Sequence, residues 1–126
     1  MVPKSLRTWF VIHFILDFIF SIPLILAPRA FLGLLGWTSV DPISARLVGA
    51  ALIGIGGESY LGRNAGLESF RGMLNLKVLW SGSALSGLLL TLLTEGQPVM
   101  AWAFVVIFGG FCCLWSYYRV RLGREA

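Results

Sequence analysis

Charge is what this sequence has least of. Asp, Glu, Lys and Arg make up 13% of its 126 residues, about half the share of an ordinary soluble domain. Such a chain cannot cover its own surface with groups that water solvates. Histidine occurs once, so a bis-histidine haem is excluded within one chain. Two cysteines are present, and Cys112 and Cys113 are neighbours. They give neither a disulfide framework nor a CxxC redox pair, and they read as small core residues. The glycines Gly54, Gly56 and Gly57 sit inside an apolar run and follow no strand pattern, which excludes a phosphate-binding loop. No metal set or cofactor motif stands out, and no cofactor is called for.

What the chain has instead is apolar length. Hydrophobic residues are 57% of the sequence and the mean hydropathy is +0.83, values that require an outer surface facing lipid. The first apolar run carries His13 and Asp17 and lacks a small-residue cleavage site, so it reads as a retained span rather than a signal peptide. A bilayer core of about 30 Å takes about 20 apolar residues of helix. Four stretches meet this: 8–27, 42–62, 70–94 and 98–118. The expected fold class is an all-α membrane protein, a single domain built as a four-helix up-down bundle.

The expected ends have local causes. Pro28 breaks the first span, and Pro23 kinks it from within. Asp41 caps the second span and Pro42 suits its first position. Gly96 stops the third. Only Glu95, Gly96 and Gln97 separate the third and fourth spans, which makes those helices antiparallel neighbours. Between the first two spans, Ala30, Phe31, Leu32, Leu34, Leu35 and Trp37 form an apolar stretch too short to cross, read as a short interfacial helix.

Basic residues set the orientation. The formal net charge is +4 and the pI is near 9.6, but the basic groups lie in tails and connections rather than in a patch for nucleic acid. Lys4, Arg7, Arg63, Arg71, Lys77, Arg119, Arg121 and Arg124 fall on one side, eight of the ten; Arg29 and Arg46 fall on the other. The expected topology is a plasma (inner) membrane protein with both termini cytoplasmic. Trp9, Trp115, Tyr117 and Tyr118 are read as the inner aromatic belt and Trp102 as the outer one.

Polar groups inside the spans are the candidate site. His13 and Asp17 are four apart on the first span, hence on one face. Glu58 lies near the inner end of the second, and Asn75, Lys77 and Ser81 lie in the third. A rise of about 1.5 Å per residue places His13, Glu58 and Lys77 about 6–10 Å below the inner boundary. A charge at the centre of a span costs about 2.5–3.5 kcal/mol on insertion scales, so each such group calls for a partner or a task. Small residues at Gly49, Ala50, Gly54 and Gly57, with Ser83 and Gly87, are read as close-packing faces. Ala50, Gly54 and Glu58 are spaced by four, which puts Glu58 on the packed side and predicts coupling of Glu58 with Lys77.

Two function classes remain on the residues alone, with a third beside them. One is a protein that binds or transports a small solute, ion or lipid through a polar pocket in its cytoplasmic half. Another is an intramembrane enzyme using His13, Asp17 and Glu58 for acid–base chemistry on a lipid-soluble substrate. The third is an accessory subunit whose glycine-rich second span binds a partner helix. Lipids are the expected surroundings, and a homo-oligomer is left open. The segments Ala45-Arg46-Leu47-Val48-Gly49-Ala50-Ala51-Leu52-Ile53-Gly54-Ile55-Gly56 and Asn75-Leu76-Lys77-Val78-Leu79-Trp80-Ser81 carry a resemblance to small bacterial four-helix membrane proteins of the DoxX-like kind. That resemblance implies four spans with cytoplasmic termini, and it implies no particular activity.

Overall fold

Apolar runs bounded by Pro and Gly fold as helices, because a backbone in lipid satisfies its hydrogen bonds only within itself. A computed structural model describes residues 1–96 and 98–124. Its elements are α1 (Lys4–Leu26), α2 (Pro28–Leu34), α3 (Pro42–Leu61), α4 (Leu67–Glu95) and α5 (Ala101–Arg124). All the regular structure among the described residues is helical. Three of these helices, α1, α4 and α5, are long and apolar enough to cross a membrane. The 20 residues of α3 are diluted in hydropathy by four glycines, Arg46 and Glu58.

The chain divides into two compact units: Pro3–Ala65, and Gly66–Ala126 with Met1–Val2. In the first, α1 packs along α3, with α2 at their connection. In the second, α4 packs along α5. Both are antiparallel hairpins. At one end of the first, Arg7 of α1 reaches the carbonyls of Arg63 and Ala65. At its other end, Arg46 of α3 reaches the carbonyl of Ile25. In the second, Arg71 near the start of α4 bonds the Leu122 carbonyl near the end of α5.

Several helix ends match their sequence signals. Asp41 accepts from the Ile43 amide at 3.1 Å, with Pro42 at the first position. Gly96 takes φ +71°, a left-handed conformation that glycine adopts without a Cβ clash, and its amide bonds the Leu92 carbonyl. Other boundaries differ from expectation. Helix α1 begins at Lys4 and α4 at Leu67, because a helix need not end where the apolar run does. Helix α5 begins at Ala101, not at 98. Residues Pro98, Val99 and Met100 instead form a tight turn, with carbonyls accepting from amides three residues on. Gln97 lies outside the described residues.

Inside each hairpin a row of buried positions advances by alternating steps of four and three, with Ile55 and Met73 buried beside it. On α3 the row is Ala45, Gly49, Leu52, Gly56 and Ser59, and on α1 it begins Leu6, Phe10, His13 and Asp17. This is the seam of a left-handed coiled-coil contact. On α4, Phe70, Leu74, Lys77 and Ser81 continue the same pattern. A constant offset carries Ser5, Leu6, Arg7, Phe10, His13 and Asp17 onto Ser69, Phe70, Arg71, Leu74, Lys77 and Ser81. The two hairpins are thus built to one plan, with polar groups at equivalent seam positions.

Candidate functional site

The polar core of the first hairpin is a pair. His13 Nε2 lies 3.3 Å from Asp17 Oδ1, with both side chains more than nine-tenths buried. Helix geometry makes the pairing local, since residues four apart lie one above the other. Glycine makes it possible for the pair to sit at the seam. A Cβ built on Gly56 would stand 2.7 Å from Asp17 Cβ and 3.0 Å from its Oδ2, so only glycine lets α3 approach this side chain. Gly49 works in the same way toward the outer end of α1. A Cβ there would meet Ile25 Cγ1 at 2.8 Å and the Ser21 carbonyl at 3.2 Å.

In the second hairpin the polar core is a cation over a ring. Lys77 is 2% exposed, and its Nζ stands 4.9 Å from the centroid of Trp115, which is itself buried. An ammonium over an indole face gains electrostatically where water is excluded. Trp115 stacks in turn on Phe111, at 5.5 Å between centroids. Ser81 is buried, and its hydroxyl donates to the Lys77 carbonyl one turn back. That bond satisfies the hydroxyl within α4.

The other sequence-derived candidates lie elsewhere. Asn75 is exposed, and its Oδ1 accepts from Arg119 Nε at 2.6 Å, so it ties α4 to α5. Glu58 is exposed rather than packed. His13, Asp17 and Glu58 belong to one hairpin, and Asn75, Lys77 and Ser81 to the other.

The expected close-packing residues divide between the seam within a hairpin and its outer face. Gly49 does lie on the seam, but Ala50 and Gly54 are exposed, and a Cβ on Gly54 or Gly57 would meet nothing within 4 Å. On α4, Ser83 and Gly87 are exposed too, with open space at Gly87. The reason is periodicity. A seam stepping four then three selects Gly49 and Gly56, whereas the straight four-residue row Ala50–Gly54–Glu58 turns away from it. Trp115 and Tyr118 are likewise core rather than belt, at 1% and 5% exposed. Cys113 faces outward, and Cys112 is half-buried.

Sequence reasoning missed Gly56 and the arginine clamps. Gly56 carried a signal, its seven-residue spacing from Gly49. The clamps did not, because Arg7, Arg46 and Arg71 bond to helices distant in sequence. Each of them places a cation at the carbonyl end of its neighbour, where the helix dipole favours positive charge. Among the described residues no group of three metal-ligating side chains converges. No family model, curated protein or solved structure matches this chain.

Proposed function

We propose that this chain is a four-span plasma-membrane protein that binds or transports a small solute, ion or lipid, with the His13–Asp17 pair as its proton-exchanging centre. The observation that carries this reading is that pair: a carboxyl and an imidazole 3.3 Å apart and buried within a helix of hydropathy 2.2. Ionisable groups at such depth are expensive to insert and are commonly found along ion and substrate paths. Imidazole exchanges protons near neutral pH, and a neighbouring carboxylate responds to that charge. The pair therefore couples proton uptake to the packing of α1 on α3 through Gly56.

Four spans are supported by the end-to-end match of α3 to α1. Arg7 joins one pair of ends and Arg46 the other, which supports reading α3 as a span beside α1. Twenty residues of helix extend about 30 Å, enough for the apolar core. The exposed Arg29 and the Phe31 ring, 6.1 Å from Phe20, suit α2 to the membrane surface. Cytoplasmic termini follow from the basic-residue bias, and the DoxX-like segments agree with this topology.

The test is proton exchange by the purified protein and flux across vesicles. Infrared difference spectra between acidic and neutral pH should contain a protonated-carboxyl band that Asp17→Asn removes and His13→Gln displaces. Vesicles loaded with a pH-sensitive dye should show flux that both variants reduce at least tenfold, in line with loss of a proton-transfer group. A carboxyl band unaffected by Asp17→Asn, or flux equal in all three proteins, would overturn the reading.

A further inference from the structure

Away from the His13–Asp17 pair, the first hairpin has an open surface cleft of about 180 Å³ lined by Arg7, Thr8, Val11, Arg63 and Asn64. It lies where α1 begins and α3 ends. The end of a helix normally repels anions, because its last carbonyls point outward unpaired. Here several carbonyls at and just beyond that end already have donors. Arg7 Nη1 donates to the Arg63 carbonyl at 2.7 Å and to the Ala65 carbonyl at 3.0 Å. Arg63 Nη1 donates to the Tyr60 carbonyl at 2.7 Å, and the Gly62 amide donates to the Glu58 carbonyl. Two arginines thus stand at the carbonyl end of α3 and line the same space.

No carboxylate lines the cleft, and among the described residues none pairs with Arg63. The Arg63 guanidinium lies 3.9 Å over the Tyr60 ring, which fixes its plane while leaving nitrogens beyond the bond to Tyr60. Thr8 and Asn64 add a hydroxyl and an amide. Val11 forms an apolar wall on the side where α1 continues to the exposed Ile12 and Ile15. A charged cleft with an apolar flank matches an oxyanion that carries a hydrocarbon tail.

We propose that this cleft binds a phosphate group, held by Arg63 and Asn64 with Arg7 behind them, and supplied by the headgroup of an anionic phospholipid. Guanidinium groups are suited to phosphate oxygens by their planar array of donors. Basic pockets at the cytoplasmic ends of spans are a recurrent way of holding such lipids. The site lies about 9 Å along α1 from His13, measured from Arg7, and it stands independently of the proton-exchange reading.

The test is native mass spectrometry of the full chain released from neutral detergent, titrated with phosphatidylglycerol or with phosphatidylcholine of the same acyl chains. Wild type should retain phosphatidylglycerol preferentially, and Arg63→Gln should weaken that retention about tenfold, the worth of one charged hydrogen bond. Asn64→Asp, an exposed change in the same wall, should weaken it at least as much, while Arg63→Lys should restore part of it. A parallel arm adds inorganic phosphate at constant ionic strength. Phosphate that displaces the lipid in an Arg63-dependent way would make the free ion the source, and failure to displace it would make the lipid the source. Equal retention of the two lipids by wild type with no phosphate effect, or retention unchanged in both Arg63→Gln and Asn64→Asp, would overturn the site.

Discussion

The two hairpins share a plan and differ in what they bury along it. Both place an arginine at the same point of their first helix, and both send it to the far end of their second helix. Both carry polar groups at equivalent seam positions. In the first hairpin the partner helix presents Gly56, so its backbone lies against the Asp17 side chain, which pairs with His13. In the second it presents Trp115, so an ammonium lies against an aromatic face. Backbone proximity suits a carboxyl, which is short and keeps its charge close to the helix. A ring suits a lysine, whose long stem has to be covered along its length. The residue each partner helix presents suits the group it covers.

The largest expected effect lies in the seam of Lys77 and Trp115. Trp115→Ala removes a large buried ring, a change worth about 3–5 kcal/mol in well-packed cores, and it also uncovers Lys77. Adding Lys77→Met should therefore recover part of the loss, because the ammonium that the ring covered is removed with it. Thermal unfolding of the four combinations in detergent checks this. Strict additivity of the two changes would break the comparison, since it would mean that the ring does not hold the ammonium.

The seam of Asp17 and Gly56 should respond to the opposite kind of change. Gly56→Ala adds one methyl group where Asp17 Cβ stands at 2.7 Å, and overpacking of this kind costs about 1–3 kcal/mol. The same substitution at Gly54 meets open space and should leave unfolding close to wild type. If both substitutions are silent, α3 does not approach α1 as closely as its glycine row implies.

The clamps come next in size. Arg7 holds two carbonyls, whereas Arg71 holds one and also binds Glu68 on its own helix. Arg7→Gln should cost about 1.5–3 kcal/mol before screening at the partly buried site is allowed for, and Arg71→Gln less. Amide hydrogen exchange should speed up at the end of α3 in the first variant and at the end of α5 in the second. Faster exchange distributed over both hairpins in either variant would show that the clamps are not local to their own hairpin.

Much of this fold is written in the order of residues. Apolar length, the Asp41–Pro42 start and the Gly96 stop mark helices because they act within a few residues of themselves. The His13–Asp17 pair is legible for the same reason, as one turn of helix suffices to make it. The facing of α3 is less accessible. Its small residues occupy both the row of Gly49 and Gly56 and the row of Ala50 and Gly54, and only the seven-residue spacing of the first tells them apart. Trp115 reads equally as a belt residue or as a lid over Lys77, since the choice depends on the rotation of α5. The start of α5 shifts because Pro98 opens a tight turn before the helix, although proline is also suited to a first helical position.

The smallest effect comes from a feature of the first hairpin that the second lacks. Helix α3 begins on the Asp41 carboxylate, while α4 begins at Gly66 with no side-chain cap. The Ser44 hydroxyl first, then the Ile43 amide, holds the Asp41 carboxyl below its ordinary value of 3.8, against a small opposing effect of desolvation. A carboxyl whose folded value is depressed contributes stability that is present above its unfolded value. That contribution is lost as the pH falls through the folded one. The amides of Ile43 and Ser44 should therefore lose protection on acidification below about pH 4, after correction for the intrinsic exchange rate, while those at the start of α4 do not. Asp41→Asn keeps an acceptor for the cap and should remove the pH dependence while retaining protection. Because Asp41 is fully exposed, the change should stay within the first turn of α3. Spread of the acid effect down to Gly56 would instead mean that the cap and the buried seam open together.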